Sequence, residues 1–137
     1  MKKLILALML IIPAISYADS LYLGLYTDHF VKGSLNETNS VIMVQLNSGL
    51  TIGTMTNSYD KTSVMLGYVQ PNKPIALGIV FATGYEPKDF YLEDYLDSTP
   101  IVPFPLLSAN INITDHVAIT ANLIGGIVFN AGLTFSF

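Results

Sequence analysis

The chain of 137 residues contains no cysteine, no tryptophan and no arginine. Without cysteine, no disulfide can staple the fold, although small exported soluble domains often depend on such bridges. Without arginine, and with six lysines in all, there is no clustered cation to neutralise phosphates, which argues against nucleic acid as a partner. Past the first 18 residues, four lysines face ten acids, a net charge of about −6 with histidine neutral. The same region has no apolar run long enough for a membrane helix.

What is present begins with "MKKLILALMLIIPAISYA". Two lysines, an apolar stretch and small residues ending at Ala18 form the three parts of a secretory signal peptide, cleaved before Asp19. The apolar run is short for a bilayer anchor. Residues 1–18 are therefore set apart as the signal peptide, and residues 19–137 as one domain.

That domain alternates with period two. In "IVFNAGLTFSF", Ile127, Phe129, Ala131, Leu133, Phe135 and Phe137 share one face. Asn130, Gly132, Thr134 and Ser136 lie on the other. "VAITANL", "LLSANINIT" and "IALGIVFATGY" repeat the pattern, and strands are also expected near 20–31, 39–47, 50–58 and 62–69. Turn signals separate them: "KGSLNE", "NSG", "YDK", "QPNKP", "TDH" and "GG". Eight strands of about ten residues match the length of a tilted strand crossing a bilayer. A water-soluble sandwich has the same period with its apolar face turned inward. Three features favour an eight-stranded antiparallel transmembrane β-barrel. The polar faces carry few charges, the charges gather in loops such as 86–97, and the chain ends on Phe137. A terminal aromatic residue resembles the signal by which the barrel-assembly machinery recognises outer-membrane proteins. The expected location is the outer membrane of a Gram-negative cell, as a monomer.

An eight-stranded barrel is filled by side chains and is no pore. Gly78 and Ala82 belong to a run of small residues that leaves local space for an acyl chain, or else makes room for large lumenal neighbours such as Tyr22 and Tyr26. His29 closes strand 1 at the end expected to be extracellular. Asn57 and Ser58 reach that level from strand 3, with Asn36 and Glu37 in the first outer loop. A histidine, a hydroxyl and an orienting group suit base-assisted acyl transfer. The same residue types also occur on a rim as merely solvated side chains. His29 and His116 are expected at opposite ends, so no metal site is expected, and nothing implies a cofactor.

"TDHF", "LNETN", "TNSYDKTSVMLGYV", "TPIVPFPLLSANINI" and the terminal strand occur in an order that resembles the PagP-type lipid A palmitoyltransferases and small PagP-like barrels, some encoded by phages. The resemblance runs from about 20 to 137. It implies transfer of a palmitoyl chain from a phospholipid donor to lipid A, with catalytic roles for His29 and Ser58. Asn57 stands where those enzymes have an aspartate. Pro103 and Pro105 match prolines of a lateral opening for lipid, and proline's missing N–H thins a strand ladder. Pro100, Pro103 and Pro105 can equally shape a loop and a strand start. Departures include Asn57 and the lack of a helix before strand 1. Only Lys32, Lys61 and Lys88 remain for lipid phosphates, unless divalent cations bridge these to Asp89, Glu93, Asp94 or Asp97. The alternative function is a non-catalytic barrel with a structural, lipid-binding or surface-interaction role, using the 86–97 loop.

Overall fold

The computed structural model describes residues 19–30, 40–85 and 101–137. Eight antiparallel strands follow one another around a closed barrel. They are β1 (Ser20–His29), β2 (Val41–Gln45), β3 (Leu50–Thr56), β4 (Thr62–Val69), β5 (Ile75–Thr83), β6 (Ile101–Asn112), β7 (Val117–Ile124) and β8 (Val128–Ser136). Residues 1–18, expected to be a signal peptide, the 31–39 connection with Asn36 and Glu37, and the acidic 86–97 segment lie outside the described residues.

Closure pairs β1 with β8, so this sheet has no open side to stack on a second one, and a sandwich is excluded. Phe137 N–H also donates to Asp19 O, tying the two ends of the barrel chain together. On the same end, tight turns carry Gly49 and Asn72 in the left-handed region, with φ of 89° and 55°. The opposite end holds His29, the 57–61 turn and the Gly125–Gly126 turn.

The alternation resolves with its apolar face outward. Ile75, Leu77, Ile79 and Phe81 of β5 are exposed, while Ala76, Val80 and Ala82 are buried in the lumen. On β7, Ile119 is exposed while Thr120 and Asn122 are buried. Buried polar groups inside, among them Thr51, Ser63, Ser108 and Asn130, sit beside the apolar cluster of Tyr22, Met43, Met55, Met65 and Val80.

One strand breaks the period. The β1–β8 register pairs Gly24 with Gly132 and Tyr26 with Ala131, skipping Leu25. Leu25 and Tyr26 both face outward, 72% and 57% exposed, so Tyr26 is not the lumenal neighbour its number suggests. A β-bulge inserts one residue and re-aims everything after it. Here it turns Thr27 and His29 inward, where strict alternation from Tyr22 would point them out.

The seam itself depends on two glycines. A Cβ on Gly132 would collide with Leu23 O and lie 2.8 Å from Gly24 Cα, both backbone atoms that cannot rotate away. Gly132→Ala is therefore expected to destabilise the barrel by about 3 kcal/mol through overpacking. Urea unfolding of the refolded protein measures this, and a midpoint equal to that of the unaltered chain would contradict the packing described.

Candidate functional site

His29 enters the lumen from the bulged end of β1 and is 2% exposed. Its Nε2 lies 2.7 Å from Ser58 Oγ, a buried contact between groups 29 residues apart in sequence. Ser58 belongs to the turn that joins β3 to β4, where Asp60 adopts a φ of 61°. Asp60 N–H donates to Asn57 O, and Asn57 N–H donates to Lys61 O, which closes the turn.

Asn57 builds this turn with its side chain as well as its backbone. Its Oδ1 accepts from the N–H groups of Tyr59 and Lys61, each at 3.0 Å. Its Nδ2 donates to Ser63 Oγ at 3.1 Å and to Gly84 O at 2.9 Å. The residue is fully buried, and these four bonds use both ends of the amide. An asparagine that satisfies backbone groups in this way is an Asx-type turn device. It fixes where Ser58 stands. It does not orient the imidazole, because His29 Nδ1 has no hydrogen-bond partner among the described residues. The three predicted polar residues thus divide into a contacting pair, His29 and Ser58, and a turn organiser, Asn57.

Sequence reasoning missed Tyr85. It follows β5, is buried, and lies beside Ser58. Burial pushes the phenol up to about 12, against hydrogen bonds from Ser58 that lower it. Tyr85 therefore keeps its proton at neutral pH and presents an O–H beside the His29–Ser58 pair. Its ring meets Tyr59 edge-on at 6.1 Å and Phe104 at 5.0 Å, so aromatic packing links the 57–61 turn to β6. The "TGYEP" stretch offered no periodic signal for this role.

A small cavity of about 50 Å³ adjoins the pair, with Ser58, Tyr85, Met55, Phe104, Ile124 and Asn130 among its walls. Most of this lining is apolar. A second cavity of about 590 Å³ occupies the end that holds Asp19 and Phe137 and is bordered by polar groups such as Gln45, Thr51, Asn110 and Thr134. Gly78 and Ala82 border neither cavity. A Cβ on Gly78 would lie 2.6 Å from Tyr68 O and 2.8 Å from Val69 Cγ2, so that position serves close packing between strands.

Pro103 and Pro105 lie on β6, which begins at Ile101 and is longer at its start than the alternating segment from Leu106 suggests. Pairing with β5 runs along the whole segment from Ile101 to Ala109. Pairing with β7 starts only at Leu106 and Ile124, because β7 ends there in the glycine turn. Gly125 N–H donates to Pro105 O at 2.8 Å, which places Pro105's backbone groups on the β7 side. Pro103, two residues on, faces the same way. Among the described residues, the short β7–β8 hairpin thus leaves a notch beside the start of β6, and Pro103 and Pro105 bring no N–H to it. Phe104 and Ile124 flank that notch and also line the small cavity.

Comparison of the chain with family models, with curated proteins and with solved structures gives no match.

Proposed function

We propose that this protein is an outer-membrane acyltransferase that moves a fatty acyl chain from a phospholipid to lipid A or a related hydroxyl acceptor. The observation that carries this reading is the buried His29–Ser58 contact at the mouth of an apolar cavity beside the notch. The outward apolar face supports placement in a bilayer, where a closed barrel satisfies its backbone groups internally.

In the proposed reaction the acceptor hydroxyl gives its proton to Ser58 Oγ as Ser58 passes its own to His29 Nε2. The acceptor oxygen bonds to the ester carbon of the donor, and negative charge gathers on the carbonyl oxygen. The Tyr85 hydroxyl is the nearby donor suited to that charge. The bond from carbonyl carbon to the donor's glycerol oxygen then breaks. The imidazolium returns the proton to that oxygen, and a lysophospholipid leaves. The donor's tail enters through the notch between β6 and β7.

A second reading rests on the size of the cavity. At about 50 Å³ it holds a few water-sized groups, far less than a long acyl chain. A lumen filled at the His29 end favours a non-catalytic barrel with a structural or surface-interaction role. The acyltransferase reading requires the lumenal methionines Met43, Met55 and Met65 to repack around a tail, which unbranched thioethers do readily. Refolded protein in phospholipid vesicles containing lipid A separates the two. The proposed reaction releases lysophospholipid and acylated lipid A in equal amounts; the second reading gives neither.

Membrane placement has its own test. Ile79 faces outward near the middle of β5. Ile79→Arg is expected to lose about 2–4 kcal/mol of stability in vesicles, the cost of a cation at the bilayer midplane. An unchanged urea midpoint would show that this face meets water.

A further inference from the structure

We infer that Asn130 is the positioning residue that holds the β1 bulge and thereby turns His29 into the lumen. Its use in catalysis rests on the acyl transfer proposed above, whereas the geometry and the labelling test below do not.

Asn130 sits on β8 and is fully buried. Its Nδ2 donates to Tyr26 O at 2.9 Å and to Thr27 Oγ1 at 2.8 Å, and its Oδ1 accepts from the Tyr22 hydroxyl. One amide therefore grips β1 on both sides of the inserted residue. The grip needs space that only glycine leaves: a Cβ on Gly24 would lie 2.5 Å from Asn130 Oδ1.

A bulge leaves backbone groups that a regular ladder would pair, and they need another partner. Asn130 supplies it from inside the barrel, at the carbonyl of Tyr26, the residue that shares its place opposite Ala131 with Leu25. If β1 ran straight through Leu25, every following side chain would change faces. Tyr26 and Asp28 would then point inward, and His29 would leave Ser58. The contact of His29 with Ser58 follows from the extra residue, and the extra residue is held by Asn130.

Deleting Leu25 removes the bulge but leaves Thr27 and His29 on the inward parity, so the deleted chain reaches the same placement without the clamp. Asn130 should matter only while Leu25 is present.

Because the chain has no cysteine, single thiols report the faces directly. Tyr26→Cys and Asp28→Cys are made separately in a Tyr22→Phe background, which avoids stranding the phenol when its acceptor is removed. In short-chain detergent micelles at about pH 9, where an outward thiol meets water and ionises, a maleimide is expected to label both thiols. Adding Asn130→Leu is expected to abolish labelling at both, while a Leu23→Cys thiol below the bulge stays reactive. Deleting Leu25 in the Asn130→Leu barrel is expected to restore labelling at both. Persistent labelling of the Asn130→Leu barrel would overturn the proposal, as would failure of the deletion to restore it. Should Asn130→Leu with Leu25 present not fold, the variant with Leu25 deleted decides. It must fold and label at both positions, and its failure to do so would also overturn the proposal.

Discussion

Replacing His29 by alanine is expected to lower acyl transfer by about 10²–10⁴-fold in barrels that still fold, the usual contribution of a positioned general base. The 2.7 Å contact of Nε2 with Ser58 Oγ places the imidazole to take the serine proton. With His29 gone, the serine proton loses its acceptor in the proposed reaction. Ser58→Ala should produce a loss of similar size, and the double variant should be little worse than either single one, because residues acting as a unit are not additive. The measurement is lysophospholipid release per folded molecule in vesicles. Losses that multiply in the double variant would mean that the two side chains act independently.

The second large effect concerns Asn57, and it separates two accounts of the site. A residue that orients His29 would work better as a carboxylate, since amide-for-carboxylate exchange in a triad costs about 10⁴ in rate. On that account Asn57→Asp should accelerate transfer. The structure gives the opposite expectation. Asn57 Nδ2 donates to Gly84 O at 2.9 Å, and an aspartate there would set a carboxylate oxygen against a carbonyl. Asn57→Asp should therefore destabilise the barrel by about 2 kcal/mol, with no gain in rate per folded molecule. Asn57→Ala should lose about 3 kcal/mol, because it strands three part-buried backbone groups and the buried Ser63 hydroxyl. Urea unfolding and vesicle assays on the same preparations test both. A faster Asn57→Asp enzyme would show that the amide stands in the place of a triad carboxylate.

Much of the barrel could be read from the chain because its pattern is a repeated local rule. Small or polar residues alternate with apolar ones on β5, β7 and β8, and these segments match the strands found. The bulge could not be read. Leu25 and Tyr26 are both compatible with an outward face, so nothing local marks where one of them is extra. Its cause lies on Asn130, more than a hundred positions away, which resembles any other residue of a polar strand face. The early start of β6 was hidden by Pro103 and Pro105, which suggest a loop until the chain is closed and β6 is seen to run past the start of its pairing with β7. Asn57 illustrates a different limit. Its position beside Ser58 was visible, but whether its amide served the turn or the imidazole depended on Gly84 and Ser63 arriving from elsewhere. Tyr85 was likewise hidden, because its approach to Ser58 is set by closure of the barrel around the 57–61 turn.

The most direct test of the account is a mass spectrum of lipid A from Gram-negative cells expressing this protein, beside cells expressing His29→Ala and Ser58→Ala at equal folded levels. The account predicts lipid A heavier by one fatty acyl chain in cells with the unaltered protein alone. Lipid A of unchanged mass, with the unaltered barrel folded in the outer membrane, would contradict it.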